Sequence, residues 1–483
     1  MKRLLIIIPI CFLLCISFSP FTASAEEVDQ IKNLISKEVQ KGKIPGVSVV
    51  VIKNGKVLLM DSYNNPSYKS SINRKTKFEI ASNSKAFTGL GMMKLVEQGE
   101  IDLDDNVKQY IPWLQFVYKD KPVDILVKDF LYHTSGIPAN SVANIPITNK
   151  KNGLEQTIRK LNGMNLNSLP GVQFEYATFN YDVLGLIIER VSGEAYADYM
   201  KEEIFKPLDL NHTSINILTP EENTQGYKRG FFTSIKYNAP TYSGNIPAGY
   251  ISSNIIDMSK WLQIQLHHTK SDMSNIINGA NDKSSFIDGT LNYSSGWMIH
   301  KKNNDFFHEG NNPNYSSFIL FNKEKNFGVA VLANSNSVYT SRIAYRIQNL
   351  LYSTKTELPS YDYNTAIDTF STITMIISLA FSLFLVFKLQ MLYKNGYKIK
   401  DRKLKYSLLI LCILFLSIEI SLIILAPKLL MGYNWKFLVV WMPFSFLPAV
   451  ICSGILILML NLFGFFFLFF KKGDINGSNN ILQ

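Results

Sequence analysis

Long apolar segments in the last quarter of the chain constrain its architecture more than any other feature of the sequence. Residues 369–387 and 407–426 form apolar runs of 19 and 20 residues, each about long enough to cross a bilayer as a helix. Residues 437–470 stay apolar for 34 residues, which is too long for one perpendicular helix. We therefore expect an interfacial lead-in around residues 441–443 and then a third span, so that residues 369–472 hold three transmembrane helices.

Basic residues between and after these runs predict the orientation of the spans. Six basic residues lie at positions 394–405 in the loop between the first two spans, and two lysines follow the third span. These residues are Lys394, Lys398, Lys400, Arg402, Lys403, Lys405, Lys471 and Lys472. Short loops rich in Lys and Arg stay in the cytoplasm. A multi-pass protein of the cell membrane is therefore predicted, with residues 473–483 as a cytoplasmic tail and a linker over residues 356–368 leading to an exported domain.

The first 25 residues have the features of a secretory signal peptide. Lys2 and Arg3 precede an apolar stretch over residues 4–18, and the small residues 23–25 form a cleavage site. An uncleaved anchor helix is the alternative interpretation. We expect residues 26–355 to lie outside the cytoplasmic membrane. This region contains no cysteine, so it must rely on a large core rather than on disulfides.

The net charge of +11, from 49 basic and 38 acidic residues, first suggests a nucleic-acid partner. The distribution of the charge argues against that interpretation. The signal contributes +2, and the residues from 361 onward contribute +6, because they include 11 basic and five acidic residues. Only +3 remains for residues 26–360. The excess charge lies beside apolar segments, so we expect a lipid bilayer as a partner and no nucleic acid.

Strand signals at both ends of residues 26–355, with helical signals between them, predict an α+β domain. Residues 47–60 contain two β-branched runs joined by an Asn-Gly pair, which is a strong hairpin signal. Residues 316–332 contain a second hairpin. Helical patterns followed by a glycine occur at residues 84–98 and 182–191. We expect an antiparallel sheet flanked by helices, plus a helical subdomain.

The best candidate nucleophile is Ser82, which is followed three residues later by Lys85 where a strand-like segment changes to a helix. Side chains three positions apart share one helix face, so the lysine nitrogen can lie beside the serine hydroxyl. A serine hydroxyl needs a neighbouring base to become a good nucleophile, and a lysine can assist only when it is partly desolvated. The S-x-x-K spacing is a weak signal by itself, but here it occurs once and in the position that the chemistry requires.

Two further motifs complete the candidate site. Tyr176 follows a Pro-Gly turn and precedes a helix, and a tyrosine beside a lysine can relay a proton because the cation stabilises its anion. His308 and Gly310 lie with Asn311 just before a strand. An edge strand there can donate a backbone N–H to a developing oxyanion, and the glycine allows a substrate to approach closely. Each residue alone is more often structural than catalytic, so the prediction depends on the ordered set.

The set formed by Ser82-x-x-Lys85, Tyr176-x-x and His308-x-Gly310 resembles the three motifs of the serine penicillin-recognising family. The groups that it is most similar to are class C β-lactamases, low-molecular-mass penicillin-binding proteins and related esterases. Three flanking segments also match, at residues 131–138, 247–249 and 296–297. The resemblance covers all of the exported domain and implies a β-lactamase/transpeptidase-like fold.

The same resemblance implies a role for each matched residue. Ser82 would be the acylated nucleophile, and Lys85 and Tyr176 would transfer its proton. Backbone N–H groups of Ser82 and Asn311 would form the oxyanion hole. His308 would line the site at the position where β-lactamases carry a lysine.

Two residues depart from the family's pattern. Thr178 occupies the last position of the second motif, where the family usually has Asn, and a hydroxyl is shorter than an amide and offers only one donor. His308 replaces a lysine, and a neutral imidazole supplies no fixed charge for a substrate carboxylate at pH 7. Both departures disfavour an efficient β-lactamase and favour a peptidase, amidase or esterase.

The predicted function is that of a membrane-anchored extracytoplasmic serine hydrolase, a peptidase or amidase that acts through an acyl-enzyme. Its substrates would be small or peptidoglycan-like peptides that contain D-amino acids. The sequence contains no histidine pair spaced for zinc, and we expect neither a metal nor a cofactor. The oligomeric state is left open.

Three alternatives accompany this prediction. One is a prodrug-activating peptidase that removes an N-acyl-D-asparagine leader, because an exported hydrolase followed by three spans resembles those enzymes. Thr178 and Asn311 would then bind the side-chain amide of the leader. The second is an esterase or weak β-lactamase. The third belongs to a different class, a catalytically silent penicillin-binding sensor.

Overall fold

The computed structural model describes residues 19–215, 223–266, 273–282, 284–359, 361–398, 402–469 and 471–472. Most of the predicted signal peptide and the predicted cytoplasmic tail lie outside these residues. The described residues divide into two compact units, with a boundary between Asp362 and Tyr363. The short segment Arg229–Ile235 is grouped with the second unit.

Strands and helices are numbered separately along the chain. The strands are β1 (Gly46–Lys53), β2 (Lys56–Asn64), β3 (Phe78–Glu79), β4 (Phe116–Tyr118), β5 (Lys121–Val123), β6 (Met164–Asn165), β7 (Tyr227–Gly230), β8 (Thr233–Lys236), β9 (Ser252–Ser253), β10 (Ser285–Phe286), β11 (Leu291–Ser294), β12 (Trp297–His300), β13 (Phe306–Asn312), β14 (Tyr315–Asn322), β15 (Phe327–Ala333), β16 (Tyr397–Lys398) and β17 (Lys471–Lys472). The helices are α1 (Ser19–Lys41), α2 (Ser84–Glu97), α3 (Val127–Leu131), α4 (Gly153–Ile158), α5 (Phe179–Ser192), α6 (Tyr196–Tyr199), α7 (Ile246–Gly249), α8 (Ile255–Gln265), α9 (Ser274–Asp282), α10 (Tyr339–Tyr352), α11 (Tyr363–Lys394), α12 (Arg402–Ala426), α13 (Trp435–Trp441) and α14 (Phe446–Phe469).

An eight-stranded antiparallel sheet organises the first unit, in the order β10-β11-β12-β13-β14-β15-β1-β2. Both predicted hairpins are present, as β1–β2 and β14–β15. The two ends of the domain join where β1 pairs with β15, with Val50 opposite Ala330. The residues between β2 and β10 form most of the helices, as the sequence predicted for an α+β domain with a helical insertion.

The sheet is buried on both faces because its central strands carry apolar residues at successive positions. On β1, Val49 and Val51 pack in one cluster with residues of α1 and α10. Val50 and Ile52 lie in the other cluster, with residues of the inserted helices. The sheet therefore lies between two helical layers, and the inserted helices lie on the face that carries the candidate site.

The predicted helices are present with small changes at their ends. Helix α2 begins at Ser84 as predicted and is followed by Gly99 with a φ of +74°. Helix α5 begins at Phe179, three residues before the predicted start, and ends at the left-handed residue Gly193. A glycine adopts this conformation without the steric cost that a side chain would add.

The second unit contains three helices that are long and apolar enough to cross a membrane, Tyr363–Lys394, Leu409–Met431 and Phe446–Phe466. The predicted lead-in to the third span is present as α13, which ends before Pro443. Helix α11 begins at Tyr363, within the segment 356–368 that was predicted to be a linker. Asp368 in this part of the helix is buried within the second unit, where it accepts hydrogen bonds from the Ser445 hydroxyl at 2.6 Å and the Phe232 N–H at 2.8 Å.

Gly296 lies in the turn between β11 and β12, where the chain packs directly on the start of α2. Its φ is +92°, and a Cβ atom on this residue would lie 2.4 Å from the backbone nitrogen of Ala86 and 2.6 Å from the carbonyl carbon of Lys85. Neither backbone atom can move without moving the helix. A glycine at this position therefore allows the sheet to support the helix that carries Lys85.

We expect Gly296→Ala to lower the free energy of unfolding by about 2–4 kcal/mol, because a strained φ adds to a clash with backbone. Denaturant unfolding of the full chain in detergent measures the change. Gly289→Ala is the matched control, because a Cβ there meets nothing within 4 Å. Similar losses in the two variants would contradict the assignment of Gly296.

Candidate active site

Ser82 and Lys85 lie side by side at the start of α2. A 3₁₀ turn over Ala81–Asn83 leads into the helix, and Ala81 has a φ of +47°, a strained value of the kind that occurs at functional sites. The distance between Lys85 Nζ and Ser82 Oγ is 3.2 Å. Lys85 is fully buried, whereas Ser82 is partly exposed. The hydroxyl is accessible to a ligand, and its amine neighbour is not accessible to bulk water.

Tyr176 completes the predicted trio. The Lys85 ammonium lies 5.1 Å from the centre of the Tyr176 ring and donates a hydrogen bond to the Ala248 carbonyl at 2.7 Å. The Tyr176 ring packs on the buried His133 ring, with centroids 4.4 Å apart. The Ala177 N–H donates to His133 Nδ1 at 3.3 Å. Residues separated by 94 positions in the sequence therefore meet around one buried ammonium group.

Strand β13 brings the third motif to the same place. His308 is buried with its ring centre 5.9 Å from that of Tyr176, and its Nδ1–H donates to the Glu309 carbonyl at 2.7 Å. Burial, reinforced by the Lys85 charge, lowers the pKa of His308 to about 3. A neutral imidazole supplies no fixed positive charge at this position. A Cβ on Gly310 would lie 2.4 Å from the Ile80 carbonyl oxygen, so glycine allows the strand to approach the nucleophile's turn.

The other two candidate residues lie at the margin of this group. Asn311 pairs with Ser316 in the sheet, and its side chain hydrogen-bonds Glu309. Successive strand residues point to opposite faces, so the Asn311 and His308 side chains lie on different faces and only the Asn311 backbone remains available to a ligand at the His308 face. Thr178 is partly exposed at the N-cap position of α5, close in sequence to Tyr176.

Asp182 is a buried group that the sequence analysis did not select. It is fully buried on α5 and accepts hydrogen bonds from the Ala248 N–H and from the Asn245 amide nitrogen, which lies 2.8 and 3.1 Å from its two oxygens. Burial raises the pKa of Asp182 well above its usual range, and the Lys85 ammonium opposes that shift. Asp182 and Lys85 thus bind the N–H and the carbonyl of the same residue, Ala248. An acidic residue within an otherwise apolar helical pattern is the signal that could have identified it.

No group of three or more His, Cys, Asp or Glu residues within the described ranges is arranged to hold a metal ion. The site itself offers hydroxyl, amine, phenol and carboxyl groups. Together these groups provide a nucleophile, a proton acceptor and a route for returning the proton.

Comparisons with known proteins identify the class to which this fold and site belong. A family model described as Beta-lactamase matches residues 31–352, about two thirds of the chain, so the chain belongs to the β-lactamase family. The motifs predicted from the sequence therefore lie on the scaffold that the resemblance implied.

Individual relatives match over different lengths. Protein flp of Staphylococcus aureus (strain N315) is 32% identical over 440 residues, which cover 88% of this chain and 87% of that protein. The N-acetylmuramyl-L-alanine amidase of Bacillus subtilis (strain 168) is 28% identical over 268 residues, covering 51% and 57%. The solved structure of an octameric penicillin-binding protein homologue from Pyrococcus abyssi has a TM-score of 0.58 at 26% identity, covering 71% of this chain and 81% of that one. The flp match is longer than residues 26–355, so it extends into the second unit.

The buried histidines give a prediction on stability. His308 has a pKa of about 3 in the fold, and burial also lowers the pKa of His133 well below 6.5. The unfolded chain binds protons on both imidazoles near pH 6.5, whereas the folded chain does not. The stability that these groups contribute is therefore complete above about pH 6.5 and decreases as the pH falls toward 3, by up to about 1.4 kcal/mol per pH unit for each imidazole.

Unfolding free energies of the wild type and His308→Gln, measured between pH 7.5 and 4, isolate the contribution of His308. We expect the difference between the two curves to shrink as the pH falls, because glutamine does not titrate. A difference that is independent of pH would mean that the pKa of His308 is the same in the folded and the unfolded chain, which would contradict the lowered pKa.

Proposed function

We propose that this protein is a membrane-anchored extracytoplasmic serine hydrolase that cleaves peptides containing D-amino acids through an acyl-enzyme. The observation that carries the proposal is the pairing of a partly exposed Ser82 hydroxyl with a fully buried Lys85 amine at 3.2 Å. The pairing places an amine next to the hydroxyl that needs a neighbouring base to become a nucleophile. The membership of the β-lactamase family and the amidase relative support a hydrolase of this kind.

The first step would form the acyl-enzyme. Ser82 Oγ attacks the substrate carbonyl, and its proton passes to the Lys85 and Tyr176 pair as the C–O bond forms. The negative charge on the carbonyl oxygen is stabilised by backbone N–H groups at Ser82 and Asn311. The same proton then returns to the leaving amine as the C–N bond breaks, so the site begins and ends the step in the same protonation state.

The second step would release the acyl group. A water molecule takes the position of the departed amine and loses a proton to the Lys85 and Tyr176 pair as it attacks the ester carbonyl. The proton returns to Ser82 Oγ when the ester bond breaks. The neutral His308 offers no fixed cation for a substrate carboxylate, and this supports a peptide or amide substrate more than a β-lactam.

The membrane helices would hold this site at the outer face of the cell membrane. The basic residues that flank the spans favour a cytoplasmic location for the loop after α11 and for the end of α14. This orientation exports the first unit, in agreement with the predicted signal peptide. Protease accessibility of the first unit in intact cells tests the orientation.

We expect Ser82→Ala to lower turnover of an acyl-D-alanyl-D-alanine peptide by at least about a thousandfold, because the nucleophile of such a unit cannot be replaced. Lys85→Ala should cause a similar loss, since Ser82 then has no adjacent amine. The measurement is peptide hydrolysis by the purified full chain, with unfolding curves to show that each variant folds. Ser71→Ala, a change at an exposed serine, is the control and should retain full rate.

Intact-mass analysis of the same variants distinguishes the alternatives. A transient adduct with the peptide that is lost in Ser82→Ala supports the hydrolase. A permanent penicillin adduct without turnover of any peptide would favour a silent penicillin-binding sensor. Turnover confined to N-acyl-D-asparagine peptides would favour prodrug activation. Hydrolysis retained by folded Ser82→Ala would refute the proposed mechanism.

A further inference from the structure

A polar cavity of about 510 Å³ lies in the first unit beside the strand that leads to the nucleophile. This volume is within the range of small-molecule sites in proteins. Most of its wall consists of uncharged polar groups and tyrosines. The lining residues are Glu79, Asn223, Thr224, Gln225, Gly226, Asn238, Ala239, Pro240, Thr241, Tyr242, Ser243, Ile246, Tyr250, Ser252, Asn314 and Tyr315.

Glu79 is the one carboxylate among these lining residues, and none of them is a lysine or arginine. Its Oε2 accepts a hydrogen bond from the Asn312 amide at 2.6 Å. In the described part of the chain, no basic side chain forms an ion pair with it. Removing a carboxylate from water without a counter-ion is costly, and the cavity keeps the Glu79 side chain partly exposed. Glu79 is therefore a carboxyl group that faces the cavity without a basic side chain among the lining residues.

Glu79 and its hydrogen-bond partner Asn312 connect the cavity to the candidate active site. Glu79 lies three residues before Ser82, and Asn312 follows Asn311 on β13. The Asn312 amide also donates to the Gly249 carbonyl at 2.9 Å, next to Ala248, whose carbonyl accepts the hydrogen bond from Lys85. A chain of contacts through Asn312 and Gly249 therefore connects Glu79 in the cavity wall to the segment that binds Lys85.

We propose that this cavity is a substrate subsite that binds a primary ammonium group, with Glu79 as its counter-ion. This inference rests on the proposed function and names the substrate class more closely, as a D-amino-acid-containing peptide with a free amino group. The amide oxygens and hydroxyl groups of the wall can accept the remaining N–H donors of the ammonium.

The geometry favours an ammonium over other cations. A guanidinium binds best when both oxygens of a carboxylate are available, but Asn312 already occupies Oε2 of Glu79. Calcium requires six to eight oxygen ligands, usually with several carboxylates, and this wall offers one. A compact ammonium on a flexible stem needs only one carboxylate oxygen and a few neutral acceptors.

The pH dependence follows from the groups that face Glu79. Burial raises the pKa of Glu79 to about 7, against the opposing effect of the Asn312 hydrogen bond. The other titratable groups in the wall are Tyr242, Tyr250 and Tyr315, and burial raises the pKa of each, so all three stay neutral. The ionised fraction of Glu79 therefore rises from about one tenth at pH 6 to about nine tenths at pH 8. Affinity for an ammonium group should rise about tenfold over the same interval.

Two matched peptides test the subsite on the full chain in detergent. The first is Nα-acetyl-L-lysyl-D-alanyl-D-alanine, and the second is the same peptide with its Nε amine acetylated. We expect Glu79→Gln to lower kcat/KM about tenfold or more for the free-amine peptide, mainly by raising KM. The kcat/KM for the acetylated peptide should change little. Glu189→Gln, which removes a half-buried carboxyl outside the cavity, should affect neither peptide selectively.

A purely structural role for Glu79, such as holding Asn312, would slow both peptides equally, and that result would overturn the inference. A preference for the free amine that does not change between pH 6 and 8 would also overturn it, because the counter-ion would then not be Glu79.

Binding measured by calorimetry in the Ser82→Ala background separates this inference from the proposed function. If the wild type cleaves neither peptide, the proposed hydrolase fails, and calorimetry still decides the subsite. We expect the free-amine peptide to bind about tenfold more tightly than its acetylated form at pH 8, and Glu79→Gln to abolish that difference. Equal affinity of the two peptides, or no binding of either, would overturn the inference.

Discussion

The candidate site depends on keeping the ammonium group of Lys85 out of water at a cost that the fold can offset. A charged amine is expensive to bury without partners. The protein gives Lys85 the Ser82 hydroxyl, the Ala248 carbonyl and the faces of Tyr176 and Tyr181. These contacts are hydrogen bonds and ring-face contacts, and none of the four is an ion pair. The nearby buried carboxyl of Asp182 is held away from the amine by the Ala248 peptide, which binds both groups.

Close backbone packing positions this amine. Gly296 lets the sheet contact the first turn of α2, and Gly310 lets β13 contact the turn at Ile80. A Cβ atom at either position would lie about 2.4 Å from a backbone atom, so the sheet would have to move away from the helix or the turn. The same contact between β13 and the turn places Asn312 between Glu79 and Gly249. Catalytic geometry and the neighbouring cavity therefore follow from one packing arrangement.

Much of this arrangement could be predicted because it has local causes. The Asn-Gly pair predicted the β1–β2 hairpin, and glycine caps predicted the ends of α2 and α5 within a few residues. Apolar run lengths predicted three membrane helices and the separate lead-in α13. Helix α11 begins at Tyr363, six residues before the apolar run at 369–387, and Asp368 in this additional segment accepts hydrogen bonds from Ser445 and Phe232.

The sequence by itself determined the elements, the two-part organisation and the order of the motifs, since each of these follows from interactions between residues a few positions apart. It also placed Ser82 and Lys85 on one helix face, because three residues make nearly one turn. Only the tertiary structure decided that Tyr176 lies beside this pair and that Asp182 contacts Asn245. It also decided that Glu79 faces a cavity whose lining residues include no lysine or arginine. These contacts join segments far apart in the chain, and their formation depends on how the whole sheet and its inserted helices pack, which no local pattern encodes.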